Sequence, residues 1–270
     1  MTSAAIDRRF EFACNVARDA GTLALRFFSD LTSLNVKSKG VQDIVSDADV
    51  HTENLIRNAV AGQFPDDVFL GEESVATFQI EKDKGTWVVD PIDGTQLFVN
   101  GIRSWCISIA FVEGHHIRLG VVFDPNTDEL FAAKSGKGAT LNGREISCSQ
   151  AENLSDGLVS VGFSNRVKPE DTLGPLERLM RSDGMYLRSG SGALSLAYVA
   201  AGRLIGYFEP HMNSWDFSAG AFLVREAGGK TNDCLPNEAA LLDGGMVIAA
   251  CANVYAHLEA IVFDRGLEVP

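Results

Sequence analysis

The 270-residue chain has few cysteines, few basic residues and no long apolar run, and each shortage excludes a class of protein. Its five cysteines are scattered, odd in number and without a Cys-x-x-Cys pair, which argues against a disulfide framework and a zinc site. They are typical of reduced thiols, and the N-terminus lacks an apolar signal core, so we expect a cytoplasmic protein. No stretch approaches the ~20 apolar residues of a membrane span, and we expect no membrane partner.

Basic residues are outnumbered, since 23 lysines and arginines face 36 acids and leave a net charge of −13. This balance argues against binding to nucleic acid or to an anionic membrane, and it fits a protein that collects cations. There is no internal repeat and no low-complexity linker. We therefore expect a single domain over residues 1–270, with one half at 1–150 and the other at 151–270.

In the first half, the apolar spacing predicts two amphipathic helices and then a series of strands. The helices are expected over 5–29 and about 49–63, and residues 37–40 read as a basic, flexible stretch. A short strand is expected at 68–70, and three apolar runs separated by turn residues predict an antiparallel meander at 105–112, 117–123 and 129–133.

The second half alternates strands with helices, which predicts an α/β layer. The strands are expected at 157–163, 185–187, 204–208 and 246–250, and the helices at 170–182, 191–201, 215–227 and 252–263. A meander followed by an α/β half predicts a layered α/β sandwich.

The most informative stretch is 86–101, which reads TWVVDPIDGTQLFVNG. Its apolar, β-branched start predicts a buried strand that stops at Asp90-Pro91, because proline lacks the amide that a central strand needs. The Asp-Gly pair that follows predicts a turn, with Thr95 as the N-cap of the next helix.

Two carboxylates and a carbonyl, from Asp90, Asp93 and Ile92, would then lie together where the strand ends. Such oxygen ligands suit a hard divalent cation such as Mg²⁺. The amides of Gly94 and Thr95 open the next element, and free amides at a helix start suit a phosphate. The alternative is a plain Asp-Pro turn with an Asp-Gly hairpin signal.

Further acids lie at the ends of predicted elements: Asp49 at a helix start, Glu72 and Glu73 after a strand, and Asp216 at the start of the 215–227 helix. Each alone is explained as a capping or surface acid, because the helix dipole favours acids in a first turn. Taken together they occupy the strand ends and helix starts where α/β folds place their sites. A structural Ca²⁺ site is disfavoured, because there is no EF-hand-like loop.

The motifs, in their order, resemble those of the inositol monophosphatase family of Mg²⁺-dependent, lithium-sensitive sugar phosphatases. The family pattern is an upstream Asp, then Glu-Glu, then D-P-I-D-G-T, then W-D, eleven residues and Gly-Gly. This chain matches it with Asp49, Glu72-Glu73, residues 90–95, and Trp215-Asp216 followed by eleven residues and Gly228-Gly229. The resemblance spans almost the whole chain and implies an αβαβα sandwich.

The resemblance also implies roles for single residues. Thr95 and Glu72 would position the attacking water, Asp49 would orient Thr95, and the amides of Gly94 and Thr95 would hold the phosphate. Two or three Mg²⁺ ions would be bound by Glu72, Asp90, the Ile92 carbonyl, Asp93 and Asp216. Glu73 has no assigned role.

A substrate pocket is implied in the second half. The stretch 190–193 lacks the third glycine of a dinucleotide loop, and in the family it lies beside the leaving group. We therefore expect Ser191, Gly192 and Ala193 to form its wall, with tight packing at a helix start as the alternative. Glu209 would contact substrate hydroxyls, with Asp216 beside it. His211 either lines the pocket or caps a loop.

The implied activity is a Mg²⁺-dependent phosphomonoesterase that hydrolyses inositol 1-phosphate or a similar small polyol phosphate with a metal-activated water, as a homodimer. Gly101 and Trp105, which follow the central motif, also occur in histidinol-phosphatase members of the family, so histidinol phosphate is an alternative substrate. A mainly regulatory binding protein is the other alternative. The intact set of acids favours catalysis.

Overall fold

A computed structural model describes residues 2–40, 43–81 and 84–265. In these ranges the α-helices are α1 (Ser3–Phe28), α2 (Asp47–Gln63), α3 (Thr95–Val99), α4 (Glu170–Arg181), α5 (Gly192–Ala200), α6 (Ser214–Glu226), α7 (Ala240–Asp243) and α8 (Tyr255–Val262). The strands are β1 (Val36–Gly40), β2 (Asp43–Ser46), β3 (Val68–Gly71), β4 (Gly85–Asp93), β5 (Cys106–Glu113), β6 (His116–Asp124), β7 (Glu129–Lys134), β8 (Ala139–Leu141), β9 (Arg144–Ile146), β10 (Leu158–Val161), β11 (Met185–Leu187), β12 (Gly206–Met212), β13 (Lys230–Thr231) and β14 (Gly245–Ala250).

The strands form two mixed sheets and one hairpin. The larger sheet has the order β3-β4-β5-β6-β7-β8-β9, with β3 parallel to β4 and every later pair antiparallel. The predicted meander, now β5 to β7, is confirmed. The smaller sheet has the order β11-β10-β12-β14-β13, and β10 runs parallel to both of its neighbours. β1 and β2 pair as the separate hairpin.

The helices separate into three layers around these sheets. α1 and α2 pack on the outer face of the larger sheet, α5 and α6 lie between the sheets, and α4 and α8 cover the outer face of the smaller one. This arrangement is the predicted αβαβα sandwich. No helix in the described part of the chain is long and apolar enough to cross a membrane.

Strand β4 is buried along its whole length, because helices cover both faces of its sheet. Trp87 and Val89 face the core beneath α1 and α2, whereas Val88 faces the core shared with α5 and α6. This alternation is the two-residue period of a strand. The strand that leads into the central motif is therefore fixed from both sides.

The prediction that this strand stops at Asp90-Pro91 is wrong, because β4 continues to Asp93. Its pairing with β5 shifts register between Asp90 and Asp93, and Pro91 lies in that irregular segment. The missing proline amide is therefore not needed there, as at other strand bulges. The amide of Ile92 donates instead to Asp90 Oδ1, 2.9 Å away.

The basic stretch at 37–40 is also not the flexible segment that we predicted, since it belongs to β1. It pairs antiparallel with β2, with Val36 opposite Ser46. The polar sequence of this hairpin has no apolar alternation that would have predicted a strand.

Candidate functional site

Three aspartates meet at the end of β4. One carboxylate oxygen from each of Asp90, Asp93 and Asp216 lies within 4.8 Å of the other two. The first two come from the end of β4, and Asp216 comes from the first turn of α6. Asp90 is 2% exposed and Asp93 is 7% exposed, so little water is available to screen their charges.

Burial and mutual repulsion both act on the protonation of these groups. Burial raises the pKa of Asp90 well above its ordinary value, and the charges of Glu72 and Asp93 raise it further. Burial likewise raises the pKa of Asp216, followed by the charges of Asp93 and Glu72. A divalent cation would replace the lost hydration and offset the repulsion. The hard oxygen donors of this site fit such an ion.

Asp93 is also tied to the second half of the chain. Its Oδ2 accepts hydrogen bonds from the Ser191 hydroxyl and from the Ala193 amide, the latter at 2.7 Å. Burial raises the pKa of Asp93, while these hydrogen bonds oppose the rise. The thiol of Cys106 lies 3.8 Å from the same oxygen. The start of α5 therefore sets where this carboxylate points.

Asp216 both caps a helix and belongs to the aspartate cluster, the two roles that its sequence position suggested. Its Oδ2 accepts from the amide of Asn213 at 3.0 Å, which satisfies a free amide at the start of α6. A carboxylate offers two oxygens with several acceptor positions. One oxygen can therefore cap the helix while the group contributes to the cluster.

The turn after β4 depends on Gly94, which has φ +103° and occupies the N-cap of α3. A Cβ there would lie 3.0 Å from the Ser104 carbonyl oxygen, so only glycine fits this backbone without strain. Thr95 is the first residue of α3, and the prediction that it is the N-cap is wrong. Its hydroxyl donates toward Asp49 Oδ1 at 3.0 Å and the Ile92 carbonyl at 3.1 Å.

Asp49 is fully buried behind Thr95, at the start of α2. Its other oxygen accepts from Ser46, at 2.8 Å from the amide and 2.6 Å from the hydroxyl. Burial raises the pKa of Asp49, and these hydrogen bonds oppose that rise. Asp49 thus links the start of α2 to the start of α3.

Most of the predicted site residues line two adjoining cavities. A cavity of about 220 Å³ is lined by Glu72, Asp90, Ile92, Asp93, Gly94, Thr95 and Asp216. A cavity of about 110 Å³ shares Asp93 and Asp216 with it and is lined by Ser191, Gly192 and Glu209. Glu72 is not a member of the close aspartate group, but it faces the same space.

Three other residues are not brought to these cavities. Ala193 is completely buried, and only its amide reaches the site, through Asp93. His211 Nε2 contacts the Asp243 carbonyl at 3.1 Å, as in the loop interpretation. Trp105 is completely buried, with its ring 4.8 Å from that of Phe98. Of the two residues shared with histidinol-phosphatase members, Trp105 therefore lies in the core, and Gly101 is exposed just after α3.

Three residues around Glu209 were not predicted as part of the site. The Tyr207 hydroxyl donates to Glu209 Oε2. Burial raises the pKa of Glu209 to about 7 against the opposing effects of this hydrogen bond and of the charges of Arg188 and Arg166, and the charge of Asp93 adds to the rise. Two sequence signals point to them. Tyr207 is two positions from Glu209 on the same strand face, and Arg188 directly follows β11, with Arg166 in the loop after β10.

Comparison with known proteins covers nearly the whole chain. The model of the inositol monophosphatase family matches residues 6–263. A Xylella fastidiosa protein named Nus factor SuhB is 38% identical over 257 residues, covering 93% of this chain and 92% of that protein. A Rhizobium meliloti inositol-1-monophosphatase is 39% identical over 250 residues, covering 90% and 91%. The crystal structure of extragenic suppressor protein suhB from Bartonella henselae gives a TM-score of 0.86 at 33% identity, covering 95% of this chain and 98% of that one.

Proposed function

This chain belongs to the inositol monophosphatase family, and we propose that it is a Mg²⁺-dependent phosphomonoesterase that hydrolyses inositol 1-phosphate or a similar small polyol phosphate. The observation that carries the proposal is the meeting of three aspartate carboxylates within 4.8 Å, beside a cavity of about 220 Å³. Buried acids with raised pKa values in a cleft are typical of functional sites.

Two or three Mg²⁺ ions would be held by Glu72, Asp90, the Ile92 carbonyl, Asp93 and Asp216. When bound, such ions acidify a water and neutralise charge on the phosphate oxygens. Asp90 and Asp216 must be ionised to act as ligands, although burial raises the pKa of each. Metal binding is therefore expected to release protons.

Thr95 is proposed to align the attacking water together with Glu72. The single hydroxyl proton of Thr95 is shared between Asp49 and the Ile92 carbonyl, so the oxygen lone pairs remain to accept from a water. Asp49 thereby fixes the direction of that hydroxyl. The first amides of a helix have no intrahelical acceptor, and those of Gly94 and Thr95 would donate to the phosphate.

The leaving group is proposed to occupy the smaller cavity, against Ser191, Gly192 and Glu209. An ionised Glu209 would accept hydrogen bonds from the hydroxyls of a polyol, with Asp216 beside it. The same carboxylate would also attract the ammonium group of histidinol phosphate, the alternative substrate within the family.

Phosphate release from a panel of esters tests this proposal. The panel is inositol 1-phosphate, histidinol phosphate, fructose 1,6-bisphosphate and 3′-phosphoadenosine phosphates, each with Mg²⁺ and with chelator. We expect Mg²⁺-dependent release, with the highest kcat/KM for inositol 1-phosphate, and inhibition by millimolar Li⁺. No release from any ester in the presence of Mg²⁺ would reject the enzymatic proposal.

A second candidate is a regulatory binding role, because the Xylella relative is named a Nus factor. The net charge of −13 disfavours direct contact with RNA, so such a role would depend on a protein partner. Expression of Asp93→Asn in a deletion strain separates the two functions. Full rescue by a variant without phosphatase activity would favour the regulatory role.

We also propose that the protein is a cytoplasmic homodimer. Strand β11 is an edge of the smaller sheet, and its Met185 and Tyr186 are 66% and 49% exposed. An exposed apolar edge strand can pair with the same strand of a second copy about a twofold axis. Light scattering after size exclusion tests the mass, and Tyr186→Lys should lower it to that of one chain.

A further inference from the structure

Helix α2 contains a second buried acid, Glu53, which has no part in the proposed mechanism. Its side chain is 3% exposed. Its Oε2 accepts the amide of Glu73 at 2.8 Å, and its Oε1 accepts from Arg57 at 2.5 Å. Glu73 directly follows Glu72, so this carboxylate holds the turn that presents a proposed metal ligand.

Gly71, the residue before Glu72, also lies against the carboxylate of Glu53. A Cβ at Gly71 would lie 2.3 Å from Glu53 Oε2 and 2.5 Å from its Cδ. The carboxylate therefore occupies the space that a side chain at position 71 would need. Glu53 consequently holds the backbone immediately after Glu72 and leaves room only for glycine immediately before it.

Glu53 lies four residues after Asp49, so both acids project from the same face of α2. Asp49 accepts from the Thr95 hydroxyl, and Glu53 accepts from the turn that contains Glu72. The two residues proposed to align the attacking water are thus held by one rigid helix. From this arrangement we propose that Glu53 is a positioning residue for Glu72, an inference that rests on the proposed function.

Glu53 acts on the site through Glu72 and is not itself a metal ligand. It does not line the cavity that contains the aspartates. Its charge is paired with Arg57, whose guanidinium lies 5.0 Å from the centre of the Phe69 ring. An ionised acceptor makes a stronger hydrogen bond to an amide than a neutral one does. The ion pair therefore strengthens the hold on the turn.

Mn²⁺ binding to the metal-free protein tests this inference without relying on phosphatase activity. Free Mn²⁺ is measured by electron paramagnetic resonance for the unaltered protein, Glu53→Ala and Glu53→Gln. Loss of a residue that orients a ligand typically costs ~10–100-fold in metal affinity, and we expect Glu53→Ala to weaken Mn²⁺ binding by about that factor. Glu53→Gln keeps an acceptor for the Glu73 amide and should recover most of the affinity.

Glu129→Ala is the matched control, because it removes the same side chain and deprives Arg203 of its partner outside both cavities. It should lower the melting temperature and leave Mn²⁺ affinity unchanged. Unchanged affinity in Glu53→Ala would overturn the inference, and so would equal weakening in the control. A failure of the unaltered protein to bind Mn²⁺ would overturn the proposed function as well.

Discussion

The hydroxyl of Thr95 lies 3.0 Å from a carboxylate oxygen of Asp49, although 46 positions separate the two residues in the chain. Asp49 is fully buried and Thr95 opens onto the larger cavity, so this hydrogen bond connects the core to the proposed site. A hydroxyl held in this way has a fixed direction before any ligand arrives.

Thr95→Ala should therefore lower kcat by on the order of 10²-fold, because an attacking water that is misplaced by about 1 Å costs about that much. KM and metal affinity should change little, since the amide at position 95 is kept. Thr95→Ser keeps the hydroxyl and should retain much of the rate.

The competing explanation is that Thr95 only stabilises the start of α3. Melting temperature and kcat are therefore measured on the same Thr95→Ala sample. A lowered melting temperature with a normal kcat would leave Thr95 a purely structural residue.

Asp90→Asn should stabilise the metal-free protein while it weakens metal binding. Where Asp90 is ionised, the substitution removes one of several buried, mutually repelling charges, and it keeps an oxygen to accept from the Ile92 amide. In chelator we expect a higher melting temperature than that of the unaltered protein, with each kcal/mol worth about 2–4 °C. In Mg²⁺ the order should reverse. An equal Mg²⁺-induced rise in both proteins would contradict the assignment of Asp90 as a ligand.

The stability of the metal-free protein should fall as the pH rises above the ordinary aspartate pKa of 3.8. In the fold the pKa values of Asp90 and Asp216 are raised, so the folded state keeps protons that the unfolded chain has released. The free energy of unfolding from these groups therefore decreases through that window and levels off above the raised values.

Urea unfolding in chelator across the acidic to neutral range measures this trend. Asp90→Asn should show a shallower decline, and saturating Mg²⁺ should remove the decline near neutral pH. A decline of the same steepness in Asp90→Asn would show that other groups cause it.

The KM for a polyol phosphate should depend on pH near neutrality because of Glu209. Burial raises its pKa to about 7, although the Tyr207 hydrogen bond opposes that rise. KM should fall as Glu209 ionises, and Tyr207→Phe should move that fall to higher pH because the stabilising donor is lost. Glu209→Gln should remove this part of the profile. An identical pH profile of KM in Tyr207→Phe would contradict a role of Glu209 in substrate binding.

Asp67→Ala should be strongly destabilising, although it lies outside the proposed site. Asp67 is 4% exposed and accepts from Arg9 at 2.7 and 2.8 Å and from the Trp87 indole at 2.9 Å. Loss of one partner from a buried pair costs ~3–5 kcal/mol. Glu177→Ala breaks an exposed pair with Arg181 and should cost less than about 1 kcal/mol. Urea unfolding compares the two variants directly.

The parts of the site that could be predicted are those that short motifs encode. Acids at strand ends and helix starts and a glycine with positive φ are local features, so Asp90, Asp93, Gly94 and Asp216 could be singled out from the sequence. The continuation of β4 past Pro91 depends on a register shift against β5, which a single strand pattern does not contain.

The contacts that hold these motifs in place could not be predicted in the same way. Ser191 and Asp93 are 98 positions apart, and Glu53 and the Glu73 amide are 20 apart. Glu53 lies inside an amphipathic helix, where an acid usually faces solvent. Glu53 is buried because α2 packs against the larger sheet, and no local sequence pattern indicates that packing.

The hydrogen bonds of Asp93 to Ser191 and Ala193 join the two halves of the chain at the aspartate cluster. Glu72, Asp90 and Asp93 belong to the first half, and Asp216 belongs to the second. A polypeptide cut in the loop near residue 150 would leave neither fragment with the full set of acids. Cation binding by a mixture of the two fragments would therefore show that they have reassociated into the native fold.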